Sequence, residues 1–172
     1  MYKLKRALLV IDMQNDHLWE KRKSKFTYNT EVLVSNVNKT IKKYKEECDV
    51  IYVSHLIQNI ITNRILFGYS IENTKGAELY SGLNIVSNLK FNKYFSNAYK
   101  SKKFYEHMKK SNYDEIILCG LDLCGCVYHT SLGALKENKK VYIVENATGC
   151  KFSKQRYEKI KNKLKKLGVT FI

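Results

Sequence analysis

The sequence predicts an α/β fold, a three-layer α/β/α arrangement around a parallel sheet, and three observations carry that reading. The 172 residues are 44% hydrophobic and 12% aromatic, enough for one domain over residues 1–172 with a sizeable core. Short, continuously apolar runs such as ALLVID and EIILCG have the length and β-branched content of strands buried on both faces. Longer amphipathic stretches separate these runs. That alternation calls for right-handed crossovers and hence for parallel strands with helices on both sides.

Taken in order, Ala7–Asp12 is the first strand, and a loop runs from Asn15 to Thr30. Glu31–Glu47 has helical spacing, with Val32, Leu33, Val37, Ile41 and Tyr44 on one stripe. Val50–Ser54 (VIYVS) is the second strand. Residues 55–83 have no strong period and hold Gly68, Gly76 and Gly82, so they read as a long loop region. Asn84–Leu89 is a weaker strand, Lys102–Lys110 a helix, and Glu115–Gly120 a strand ending on glycine. A helix over Gly125–Glu137, a strand over Val141–Glu145, a basic helix over Ser153–Leu167 and a closing strand over Val169–Ile172 complete the chain.

Composition narrows the function classes. No apolar run reaches transmembrane length, and the apolar stretch after the basic start stops at Asp12. The chain is expected to be soluble, unexported and cytoplasmic, with no membrane partner. Five cysteines, an odd number, argue for free thiols over a disulfide framework. The net charge of +15 comes from lysines scattered along the chain, dense only over Lys151–Lys166. With Lys, Asn, Ile and Tyr abundant and proline absent, it reads as a solvated face rather than a nucleic-acid surface.

In parallel sheets, ligands bind beyond the carboxyl ends of the strands. Three reactive residues fall at or near such ends: Asp12, Lys93 and Cys126. Cys126 follows a strand through a tight Leu121–Gly125 turn and opens a helix, where unpaired N–H groups lower a thiol's pKa and can hold an oxyanion. On these grounds alone it is either a nucleophile or a small core thiol. Asp12 puts a carboxylate at the end of an apolar run, where it must be paired or useful, as a base for the thiol or as a turn cap. Lys93 sits among aromatics in LKFNKYFSNAY, but Lys90 is an equal choice on physics alone.

Three ordered segments then form a pattern: ALLVIDMQNDHL, KYFSNAY and ILCGLDLCGCVYHTSLGAL. They resemble the isochorismatase-like cysteine hydrolases, which include nicotinamidases, N-carbamoyl amidases and ureidoacrylate amidases. VYIVENATGC is similar to the family's strand after the nucleophile helix, so the resemblance spans nearly the whole chain. It implies a six-stranded parallel sheet of order 3-2-1-4-5-6. It places the catalytic aspartate on Asp12, selects Lys93 over Lys90, and puts the nucleophile on Cys126 and the following threonine on Thr130. It further implies an oxyanion hole from the backbone N–H groups of Asp122 and Cys126, a cis peptide between Leu121 and Asp122, and a homo-oligomer, dimer or tetramer. The reaction implied is cleavage of a C–N bond, amide or carbamoyl, in a small molecule through a Cys126 thioester.

The sequence also departs from the family pattern. Leu123 and Cys124 stand where the family has Thr-Asp, and a thiol at Cys124 opens a redox alternative in which it resolves an oxidised Cys126. The Asp-x-His metal cluster of nicotinamidases is missing after the second strand, where His55 stands alone, so neither a metal nor another cofactor is expected. Gln14, Trp19, Phe67 and Tyr94 are the expected pocket residues, placed by loop position only. The rival readings are vinyl-ether hydrolysis of the isochorismatase type, a non-enzymatic basic α/β module, and a thiol redox protein.

Overall fold

The computed structural model describes residues 4–22, 24 and 26–172. Its centre is a six-stranded sheet, all parallel, in the order β3-β2-β1-β4-β5-β6. The strands are β1 (Arg6–Ile11), β2 (Asp49–His55), β3 (Lys90–Lys93), β4 (Glu115–Gly120), β5 (Lys140–Thr148) and β6 (Thr170–Phe171). The helices are α1 (Asn15–Leu18), α2 (Thr30–Tyr44), α3 (Ile61–Leu66), α4 (Lys102–Ser111), α5 (Tyr128–Lys136) and α6 (Lys154–Lys166). Among the described residues no helix is long and apolar enough to cross a membrane.

Period-two alternation within each apolar run builds two cores, because successive side chains leave a strand on opposite faces. Ala7, Leu9 and Ile11 join Ile51, Val53, Ile116 and Leu118 on one face, under Phe104 and Met108 of α4, Ala134 of α5 and Leu164 of α6. Leu8, Val10, Val50, Tyr52, Ile117 and Cys119 form the other face, covered by Leu33, Val34, Val37 and Ile41 of α2. These α2 residues are its apolar stripe, and Asn29 caps the helix by accepting the N–H of Val32.

The third strand lies later in the chain than the sequence reading places it. Ile85 and Val86 suggest a strand over 84–89, yet both are largely exposed, and pairing with β2 begins at Lys90 opposite Tyr52. A short, charged edge strand carries little apolar signal. The long stretch after β2 holds α3 and a 3-10 turn at Lys75–Ala77, and the loop after β1 holds α1; Lys23 and Lys25 of that loop lie outside the described residues. The helix expected from Gly125 opens instead at Tyr128, after a wide π-type turn over Leu123–Val127.

At the C-terminal end of β4 the backbone makes a sharp exit. Gly120 has φ of 104°, and a Cβ there would stand 2.2 Å from the carbonyl oxygen of Ile11. Only glycine accepts both constraints. The exit lets the N–H of Leu121 donate to that same Ile11 oxygen at 2.8 Å. The Leu121–Asp122 peptide that follows is cis.

Candidate active site

All strands run in one direction, so the ends of β1, β3 and β4 open on one edge of the sheet. Asp12 directly follows β1 with φ of 51°, a left-handed conformation that Asp tolerates better than most residues. The turn is fixed on both sides, because the N–H of Asp12 donates to Val53 and its carbonyl accepts from Gln14. Lys93 ends β3 and is fully buried; β2 lies between it and β1. Its ammonium reaches across to donate to Asp12 Oδ2 at 3.0 Å and to Cys126 Sγ at 3.1 Å. Asp12, Lys93 and Cys126, from three separate segments, therefore meet around one nitrogen.

Electrostatics at this point are those of a buried cluster. Burial disfavours the charge on Lys93, but the Asp12 carboxylate and the Cys126 sulfur outweigh it and raise its pKa, so it stays an ammonium. The second carboxylate oxygen, Asp12 Oδ1, is buried and carries no hydrogen bond of ordinary geometry. Burial pushes the Cys126 thiol up to about 12; the nearby Asp12 charge adds to the rise, and Lys93 opposes it. The sequence expectation was the reverse, a thiol acidified by a helix start. Cys126 lies within the wide turn, two residues ahead of α5, and is largely desolvated, so the helix-end effect is overridden.

That turn has its own bracing. The carbonyl of Asp122 accepts from Gly125 at 2.9 Å and from Val127 at 3.1 Å, skipping the N–H of Cys126 between them. The Asp122 carboxylate accepts the N–H of Cys124 at 2.8 Å and that of Lys151 at 2.6 Å. Asp122 thus supplies a carboxylate brace in a segment whose sequence lacks the family's Thr-Asp pair. Thr130, on α5, accepts the N–H of Ala98 and ties the segment after Lys93 to the helix after Cys126.

Cys126 and Asp12 line a cavity of about 170 Å³, below the roughly 300–1,000 Å³ usual for drug-sized ligands. His17, Phe26, Tyr28, His55, Tyr69, Ser96, Lys151 and Phe152 complete most of its wall. None of the four residues expected from loop position lines it. Gln14 is fully buried and structural, its amide donating to the carbonyls of His55 and Ala77 and accepting the N–H of His55. Trp19 lines a separate cleft with Leu18, Arg22 and Tyr80. Phe67 is exposed and packs edge-on against Tyr69. Tyr94 is exposed and donates to Glu72. The cavity wall comes from α1, the end of β2 and the loops after α1, α3, β3, β4 and β5, and loops of this kind have no hydrophobic period to betray them. The pairs His17–Phe26 and Phe26–Tyr69 at least carry an aromatic signal.

Two histidines in the wall stay neutral near pH 7. Burial lowers the pKa of His17, whose Nδ1 lies 2.9 Å from the carbonyl of Asp12 and whose Nε2 lies 3.0 Å from Ser70 Oγ. A neutral ring with the proton on Nδ1 donates to that carbonyl and accepts from Ser70, satisfying both nitrogens. Burial, then the charge of Lys93, lowers the pKa of His55. Among the described residues, the group of three or more metal-ligating side chains within coordinating reach is Asp122, Cys124 and Cys150, which includes neither histidine. Both ring nitrogens of His17 are committed to hydrogen bonds and offer no free lone pair to a metal ion in this cavity.

Comparison with solved structures shows the same fold at low sequence identity. An isochorismatase-like hydrolase from Alkaliphilus metalliredigens is 19% identical with a TM-score of 0.85, over 99% of this chain and 94% of that one. A pyrazinamidase of Pyrococcus horikoshii in complex with zinc is 20% identical with a TM-score of 0.83, over 98% of each chain. An N-carbamoylsarcosine amidase from Thermoplasma acidophilum is 22% identical with a TM-score of 0.77, over 98% of this chain and 95% of that one. No curated protein matches. The isochorismatase domain model matches residues 6–172, and the chain therefore belongs to the isochorismatase family.

Proposed function

We propose that this protein hydrolyses a C–N bond, amide or carbamoyl, of a small molecule through a thioester on Cys126. One observation carries the reading: a buried ammonium, Lys93 Nζ, donates to both Asp12 and Cys126 at the floor of a small cavity. Members with this fold include a pyrazinamidase and an N-carbamoylsarcosine amidase, both amidases by name, which supports the bond type.

In the proposed cycle Asp12 takes the proton of the Cys126 thiol as the sulfur attacks the carbonyl carbon. Burial raises the thiol's pKa, which favours Asp12 acting as a general base during attack over a preformed thiolate. Lys93 holds the Asp12 carboxylate in place and compensates the charge that develops on sulfur. The N–H groups of Asp122 and Cys126 bind the oxyanion. Collapse expels ammonia or an amine, which takes its proton from Asp12 and leaves the acyl group on sulfur. Water, deprotonated by Asp12, then attacks the thioester; the acid leaves and the thiol regains its proton. The cavity volume restricts the acyl part to a few heavy atoms. We place the protein in the cytoplasm, on its composition, and as a dimer or tetramer, as in the family it resembles.

The test is an ammonia-release screen over small amides, N-carbamoyl amino acids and ureido acids, with Cys126→Ala as control. Turnover lost in Cys126→Ala supports the reading. Turnover that survives in Cys126→Ala removes it.

A further inference from the structure

Cys124 and Cys150 play no part in that chemistry, yet their sulfur atoms touch. The Sγ–Sγ separation is 3.4 Å. Cys124 belongs to the wide turn before α5, and Cys150 to the loop after β5 that also carries Lys151 and Phe152 into the cavity wall. Two hydrogen bonds, one of them to the Asp122 carboxylate, pin the two segments together on either side of Cys150. The N–H of Leu123 donates to Gly149 at 2.9 Å, and the N–H of Lys151 to Asp122 at 2.6 Å. Bonding the sulfurs means closing from 3.4 Å to about 2.05 Å between segments that are already held together.

We propose that Cys124 and Cys150 are a reversible dithiol–disulfide pair, separate from Cys126, that locks the nucleophile turn to the opposite cavity wall when oxidised by a small-molecule disulfide. Cys124 is buried, whereas Cys150 is partly exposed and so meets the oxidant first. The Cys150 thiol loses its proton to solvent, and its sulfur attacks one sulfur of the oxidant, forming a mixed disulfide and releasing one thiolate. Cys124 then loses its proton, and its sulfur attacks the Cys150 sulfur and expels the second thiolate. The oxidant gains two electrons and becomes two thiols, while the protein loses two electrons and two protons. Burial raises the pKa of both thiols, which sets the pace of the exchange and favours mildly alkaline conditions.

Asp122 lies close enough to complete a ligand trio with the two sulfurs, which makes zinc the rival occupant. Both Asp122 oxygens already accept backbone N–H groups, however, and the trio lacks a fourth protein ligand among the described residues. The thiol pair is the better-supported use.

The experiment incubates Cys126→Ala protein, which removes the competing thiol, with glutathione disulfide at pH 8, followed by alkylation, non-reducing digestion and mass spectrometry. The expected product is a cross-linked Cys124–Cys150 peptide, two hydrogen masses lighter than its reduced parts and reversed by dithiothreitol. Cys150→Ser in the same background should give no cross-link, and Cys124→Ser should stop at glutathionylated Cys150. Accumulation of glutathionylated Cys150 with Cys124 intact would overturn the proposal. So would stoichiometric binding of added zinc that protects both thiols and is lost in Cys124→Ser. Because the nucleophile is absent throughout, these outcomes do not depend on whether the chain is an amidase.

Discussion

Lys93 Nζ stands 3.0 Å from Asp12 Oδ2, with both side chains almost wholly removed from solvent. A buried ion pair of this kind is a poor source of stability, since desolvating both charges cancels most of their attraction. Removing one partner alone leaves the other unpaired and costs about 3–5 kcal/mol. The pair is therefore better understood as positioning the carboxylate than as holding the fold together.

Asp12→Asn keeps the shape of the side chain but removes the proton acceptor. Its kcat on any amide found by screening should fall by roughly 10²–10⁴-fold, the usual range for a lost general base. Lys93→Met should lower both kcat and the midpoint of denaturant unfolding. Steady-state kinetics alongside a urea titration separates the two effects. Wild-type kcat in Asp12→Asn would remove the base from the mechanism.

A protonated resting thiol has a direct signature. Burial and the Asp12 charge hold the Cys126 pKa at about 12, above the ordinary thiol. Below its pKa a thiol's thiolate fraction, and with it the alkylation rate, climbs about tenfold per pH unit. The rate at the Cys126 peptide with iodoacetamide should therefore rise from pH 7 to pH 10 without levelling off. Lys93→Met should slow it further, because the ammonium is what opposes the rise. A plateau near pH 7 would mean a preformed thiolate–ammonium pair.

The cavity wall is tested by substitutions that separate its residues from the exposed aromatics nearby. Phe152 lines the cavity; Trp19 belongs to another cleft. Phe152→Ala should raise KM about tenfold through lost apolar contact. Trp19→Ala should leave KM within about twofold. The reverse ranking would put the substrate in the wrong cleft.

His17 ties the site to stability. Its folded pKa is lowered by burial, so the unfolded chain binds the proton more readily. The contribution is fully present above the unfolded value near 6.5 and is lost as pH falls through the folded one. Tm should drop on going from pH 7.5 to pH 5.5, and His17→Gln should flatten part of that slope while lowering Tm at neutral pH. An unchanged slope would show that the ring is not buried neutral.

How far the sequence carries these features varies by residue. β1, β2 and β4 are legible because strands buried on both faces must be continuously apolar, and Asp12 is conspicuous as the carboxylate that ends such a run. β3 is not, because an edge strand reading KFNK has no apolar run while the exposed Ile85 and Val86 imitate one. Lys93 is one of 31 basic residues and could be singled out only through the family pattern, although its burial is unmistakable in the structure. The cavity wall escaped for a physical reason. Phe26, Tyr28, Lys151 and Phe152 are carried by loops, where tertiary placement rather than periodicity decides which side chains converge. The direction of the Cys126 pKa departs from the helix-start expectation for a related reason: position in a turn is local, but desolvation is not.

The central claim is that acyl transfer passes through the sulfur of Cys126. It is tested most directly by mixing the protein with a turnover substrate, quenching in acid within one turnover, and measuring intact and peptide masses. The account predicts an acyl adduct on the Cys126 peptide that disappears with hydroxylamine and is absent in Cys126→Ala. Full substrate turnover with no adduct on Cys126, or an adduct on another residue, would contradict it.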